Sequence, residues 1–285
     1  MPDADLFSFS LLLLACAAFF AGFVDAVVGG GGLIQIPALF SAFPRVEHTV
    51  LLATNKLISF VGTSSAAVRY TRRVRLPRAL LACGMAAALG GSYLGAWTVR
   101  HVPADFMRPL VLVLLVGVAG YSFLKKDFGT DGSDFNPAPT RGNLAAMVCI
   151  GLSVGWYDGF FGPGTGSFFI FLLVRFVRMD FLHASAAAKV LNVATNVSAL
   201  AYFVSTVELL WKVAAVMAVC NLAGALTGSG MALRHGVRFV RKLFLFVVIV
   251  LIAKMSYDLV RDNAQPAKAV SRETSAALSL TGLCF

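Results

Sequence analysis

Charged residues are scarce in this sequence. Asp, Glu, Lys and Arg make up 13% of its 285 residues, and only 14 of them are acidic. A water-soluble domain carries about one quarter charged residues, so a soluble globular fold is excluded. Cysteine is sparse too: Cys16, Cys83, Cys149, Cys220 and Cys284 show no C-x-x-C spacing. That argues against a metal site or a disulfide framework. Four of the five lie within apolar segments, where the expected role is that of a buried small hydrophobe. H-E-x-x-H is absent, so an intramembrane zinc enzyme lacks its usual mark. No cofactor, no metal and no enzymatic activity is expected. The start of the chain, "MPDADLFSFSLLLLA", has no Lys or Arg before its apolar run, which does not fit a cleaved signal peptide.

Apolar residues are abundant instead, at 58% with a mean hydropathy of +0.80. They come in long blocks at 11–24, 80–99, 110–124 and 213–233. Blocks near 20 residues with few charges read as membrane helices. The fold class is therefore an all-α polytopic membrane protein in a lipid bilayer. The net charge of +10 fits basic loops that orient such a chain. Nothing is left to form a soluble nucleic-acid-binding domain, and nucleic acid is not an expected partner.

The sequence resembles itself at an offset of 133. Gly22-Phe-Val-Asp25 falls on Gly155-Trp-Tyr-Asp158, Gly29 on Gly162, Gly31 on Gly164 and Lys56 on Lys189. Arg45 falls on Arg178, Glu47 on Asp180, and Gly91 and Gly95 on Gly224 and Gly228. Phe106 and Arg108 fall on Phe239 and Arg241. This divides the chain into a first repeat at 6–125, a polar linker at 126–141, a second repeat at 142–260 and a tail at 261–285. Each repeat holds about four full transmembrane helices and one short segment after a glycine-rich break. Two topologies remain open: re-entrant short segments in parallel repeats, or crossing segments in inverted repeats. The inverted scheme puts 14 of the 24 Lys and Arg on one side and 7 on the other, with Lys56, Lys189 and Lys254 inside spans. The parallel scheme splits the same residues 12 to 9. The positive-inside bias prefers inverted repeats with both ends outside.

The breaks read "GFVDAVVGGGGLIQIP" and "GWYDGFFGPGTGSFFIF". Irregular backbone at membrane depth is tolerated only where protein or a water-filled cavity surrounds it. Equivalent breaks in two repeats point to a transporter's substrate site. Each short segment starts a new helix whose N–H groups and dipole can face an anion. Gly30, Gly31 and Gly32 in one half, and Gly164, Thr165, Gly166 and Ser167 in the other, are the candidate anion-binding residues. Lys56, Ser59 and Thr63 share one helical face, as do Lys189, Asn192 and Asn196. A mid-membrane lysine is costly unless paired or hydrated and marks function. Together these residues form a cationic chamber for a small oxygen-rich anion. Asp25 and Asp158 are ion-coupling residues or structural partners, the latter by pairing Asp25 with Lys56 and Asp158 with Lys189. Gly91-x-x-x-Gly95 and Gly224-x-x-x-Gly228 serve close helix packing. Lys254 and Asp258 read as a paired or snorkelling lysine. His48 and His183 are expected to be solvated at span ends, and Arg175 and Arg178 to anchor topology.

"GFVDAVVGGGGLIQIPAL" followed by "ATNKL", with "GWYDGFFGPGTGSFF" followed by "ASAAAKVLNVATN", resembles the sulfite exporter TauE/SafE family, and the second half its YfcA-type branch. The resemblance covers nearly the whole chain except the linker and tail. It implies a multi-pass bacterial plasma-membrane permease for small sulfur-containing anions such as sulfite, sulfoacetate or thiosulfate. Where the first half has GGGG the second has GPGTG, so the halves need not contribute equally. The expected partners are this anionic substrate, the bilayer and, left open, a second copy in a homodimer. The rival to a carrier is a passive anion channel using the same lysines.

Overall fold

The computed structural model describes residues 9–103, 113 and 139–235. Among them all regular structure is helical. The first half contributes α1 (Phe9–Val28), α2 (Gly32–Ala42), α3 (His48–Thr71) and α4 (Arg78–Arg100). The second contributes α5 (Arg141–Phe160), α6 (Thr165–Leu172), α7 (Phe181–Val204) and α8 (Trp211–His235). A π-helical turn, Leu173–Val177, continues α6. Two side chains cap helix starts in the second half: Thr140 accepts from the N–H of Asn143, and Asp180 from those of Leu182 and His183.

Four stretches are long and apolar enough to cross a membrane, Leu11–Val28, Arg78–Arg100, Phe181–Val204 and Trp211–Arg234. With 24 and 20 residues, α3 and α5 have the length as well. Their polar residues, among them Asn55, Lys56, Thr63 and Asp158, are turned inward and buried. Outward faces carry Leu12, Leu13, Phe20, Leu94, Trp97 and Val219, a surface suited to acyl chains. The 11 residues of α2 span about 16 Å, too short to cross alone. The fourth span expected in each half, at 108–124 and its counterpart, lies outside the described residues except for Val113. So do the tail, Cys284 and the Lys254–Asp258 pair.

The offset seen in sequence is also an offset in structure. Helix α3 spans 48–71 and α7 spans 181–204, a shift of 133 at both ends. The starts of α2 and α6, and of α4 and α8, differ by the same number. Packing is exchanged between the halves: α1 lies against α8, and α5 against α4. Both seams are notched by glycine. A β-carbon at Gly224 or Gly228 would fall on the backbone of Phe19 or Phe23. One at Gly91 or Gly95 would fall on that of Leu152 or Trp156, the same two positions shifted by 133. Lipid tails leave no hydrophobic drive for helix association, so close backbone approach supplies the contact.

Two expectations are corrected. Cys16 and Cys149 are exposed free thiols, whereas Cys83 and Cys220 are partly covered and Cys220 packs on a core cluster. An apolar context in a membrane helix can mean lipid as readily as protein. Conversely, His48 is buried rather than solvated. His183 is bound to Asp180.

Candidate functional site

Each break begins with a glycine in the left-handed region, Gly29 at φ 84° and Gly162 at φ 94°. A side chain there is strained, and the chain uses the turn to end α1 and α5 before the short helices start. The second break has another such residue, Gly164 at φ 78°, whose counterpart Gly31 is helical at φ −56°. This is the physical difference between GGGG and GPGTG. The two breaks lie against each other. Gly29 and Gly166 touch backbone to backbone, leaving no room for a β-carbon on either, and Gly32 faces Pro163. Ser167 Oγ donates to the Val28 carbonyl at 2.7 Å.

Around this contact stand four charged groups, three of them buried and Asp25 partly so. Lys56 Nζ lies 2.7 Å from Asp158 Oδ2, and Lys189 Nζ lies 3.1 Å from Asp25 Oδ2. Lys189 also donates to the Asp25 carbonyl, and Thr63 Oγ1 donates to Asp25 Oδ2 at 3.0 Å. Lys56 is 3% exposed and Lys189 1%. The expected pairing within each half is thereby corrected: each lysine takes the aspartate of the other half. The expected cationic chamber is corrected as well. Two lysines and two carboxylates sum to zero.

A cavity of about 20 Å³ remains between them, space for roughly one water. Of the predicted site residues, Asp25, Gly32, Lys56, Ser59, Asp158, Thr165, Gly166, Asn192 and Asn196 line it. The first residues of α2 and α6 are thus at its wall. Gly30, Gly31, Gly164, Ser167 and Lys189 are not in the lining. Gly31 packs on α1 at Ala21 and Asp25, Gly164 forms the turn, and Lys189 approaches Asp25 from behind. Asn55 and Asn192 line the cavity with side-chain oxygens that are buried and unpartnered. An amide can present either oxygen or N–H₂ after a half-turn, so both can serve a bound anion or water.

Sequence reasoning missed three buried amides near the site. Asn221 Nδ2 donates to Gln35 Oε1 at 3.0 Å and to the Ala18 carbonyl at 3.1 Å, and Gln35 Nε2 reaches the Asn55 carbonyl at 3.5 Å. Each was legible as a lone amide in an apolar helix. Two tyrosines brace carbonyls beside the breaks, Tyr70 at Ala26 and Tyr157 at Pro163. The sequence also contains one G-x-S-x-G, "GLSVG" at 151–155. Ser153 is exposed in the middle of α5 and donates to the Cys149 carbonyl at 2.7 Å, unlike a nucleophile on a strand-to-helix turn.

Comparison with known proteins bears on this site. A model of the family "Sulfite exporter TauE/SafE" matches residues 14–255. A probable membrane transporter protein ORF9 from Sinorhizobium sp is 37% identical over 257 residues, covering 89% of this chain and 95% of the relative. The probable membrane transporter protein YfcA of Escherichia coli K12 is 34% identical, covering 89% and 93%. A probable membrane transporter protein of Haemophilus influenzae is 31% identical, covering 87% and 95%. No solved structure matches. A family match over most of the length, together with an all-helical chain that has four apolar membrane-length helices, gives one conclusion: this is a membrane protein belonging to the sulfite exporter TauE/SafE family.

Proposed function

We propose that this protein is a plasma-membrane carrier that moves a small sulfur-containing anion, such as sulfite or an organosulfonate, by alternating access around the site between the two breaks. The observation that carries this reading is the exchange of partners in Lys56–Asp158 and Lys189–Asp25. Any motion that opens the site to one side must shift one half against the other, and both ion pairs span that boundary. An anion entering beside a lysine takes the place of a carboxylate. The ends of α2 and α6 and the amides of Asn192 and Asn196 supply further donors. Inverted repeats, supported by the basic-residue split, give the two access states the same chemistry.

Charge balance extends the reading. The four charges sum to zero, so a monovalent anion alone would leave an uncompensated negative charge in a low-dielectric site, which costs several kcal/mol. One proton entering with it, held by Asp25 or Asp158, removes that cost and makes transport electroneutral.

Purified protein in proteoliposomes tests this. Flux of sulfite, sulfoacetate or thiosulfate should saturate, follow an imposed pH gradient and be indifferent to membrane potential for a monovalent species. Unsaturable flux that follows the potential would identify a channel.

A further inference from the structure

At the ends of α3 and α8, remote in sequence from the breaks, lies a second and larger cavity of about 710 Å³. Arg69, Arg72, Arg73 and Arg234 line it, with Leu226 and Met231 among its apolar walls. Among the described residues, no carboxylate pairs with any of these four guanidinium groups. Arg69 is tied to α8 through the Leu226 carbonyl at 2.5 Å and Ser229 Oγ at 3.4 Å. Among the described residues the other three make no such tie.

The repeat supplies an internal control. Shifting the four arginines by 133 gives Tyr202, Ser205, Thr206 and His101. There the equivalent of the Arg69–Leu226 contact is Tyr202 against Tyr93, edge to face at 5.3 Å. The helix pair therefore packs without arginine, and the basic lining of one groove is not a demand of the fold. Four guanidiniums above an apolar floor, at a helix end on the side where basic residues concentrate, match an amphipathic anion in the membrane interface.

We infer that this groove binds the phosphate headgroup of an anionic phospholipid, with its acyl chains along α8. Arg72, Arg73 and Arg234 are the headgroup ligands, and Arg69 braces the wall. The inner leaflet, where positive-inside topology puts this end of the chain, supplies such lipids.

Native mass spectrometry of the purified protein titrated with phosphatidylglycerol, with phosphatidylcholine and with inorganic phosphate tests the assignment. Wild-type protein should prefer phosphatidylglycerol over phosphatidylcholine, and inorganic phosphate should not displace it. Each guanidinium lost should weaken phosphatidylglycerol about fivefold, so the triple change Arg72→Gln, Arg73→Gln, Arg234→Gln should weaken it about a hundredfold. The corresponding triple change to lysine should retain most of the affinity. Should the glutamine triple fail to assemble, Arg234→Gln alone decides, with about a fivefold loss expected. Unchanged phosphatidylglycerol affinity in the assembled glutamine variant overturns the proposal. So does displacement by inorganic phosphate at matching concentration, which would make the groove a site for soluble anions.

Discussion

Lys56 of the first half meets Asp158 of the second at 2.7 Å, and this contact is answered by Lys189 meeting Asp25 at 3.1 Å. The same pair of positions is used twice, with the halves exchanged. Because all four groups are buried or nearly so, neither contact is a surface ion pair of small consequence. Removing one partner strands the other in a medium that cannot hydrate it.

A double-mutant cycle distinguishes the crossed pairs from pairing within each half. Lys56→Met and Asp158→Asn should each lower thermal stability, by about 3 kcal/mol for a stranded charge. Combined, they should cost much less than the sum, with a coupling on the order of 2 kcal/mol. Lys56→Met with Asp25→Asn should couple more weakly. Equal coupling in the two cycles would contradict the observed partners. Transport should not return in the rescued double variant, since the anion's lysine is still missing.

Topology can be read from two equivalent loop residues of unlike charge. Arg75, between α3 and α4, and Glu208, between α7 and α8, are both exposed and related by the offset of 133. In an otherwise cysteine-free protein, Arg75→Cys should label only from the cytoplasm and Glu208→Cys only from outside. Labelling from one and the same side would make the repeats parallel.

Filling the small cavity should separate stability from activity. Asn192→Leu removes a buried, unpartnered amide oxygen beside the breaks. Melting temperature should hold or rise, because a group that costs about 1–3 kcal/mol when unsatisfied is gone. Anion-induced stabilisation and flux should disappear. Retention of both would remove Asn192 from the site.

The glycines divide into two sets by what surrounds them. Gly95 abuts the backbone of α5, whereas Gly90 faces open space. Gly95→Val should abolish assembly of the folded protein on size exclusion. Gly90→Ala should be neutral or stabilising by about 0.5–1 kcal/mol. A tolerated Gly95→Val would mean that the α4–α5 seam is looser than described.

Much of this was legible in the residues. Hydropathy and glycine punctuation located the breaks, and the offset of 133 foretold which helix ends would coincide. The faces of α3 and α7 followed from spacing, and Lys56, Ser59 and Thr63 share one cavity wall. What spacing could not tell was which aspartate each lysine reaches. Both assignments put the same charges at the same depth, and only the packing of α1 on α8 and of α5 on α4 selects one. The offset also hid as much as it revealed. Gln35, Asn55 and Asn221 correspond to Phe168, Ala188 and Ala88, so a search for matched polar positions passes over them. The cysteines and His48 went astray for a related reason: composition alone does not tell which side of a membrane helix meets lipid.

The exchanged seams bear on how such a chain is made. Synthesised alone, either half would present a glycine-notched helix with no partner, and a lysine and an aspartate with no counter-charge. Its mate completes both by contacts that repeat under exchange, the arrangement of an isologous two-fold interface. A half-length forerunner could therefore have been stable as a pair of identical chains. With both copies in one chain their stoichiometry is fixed, while the first half waits in the bilayer incomplete. Insertion machinery would then have to shelter the notched face of α4 until α5 emerges.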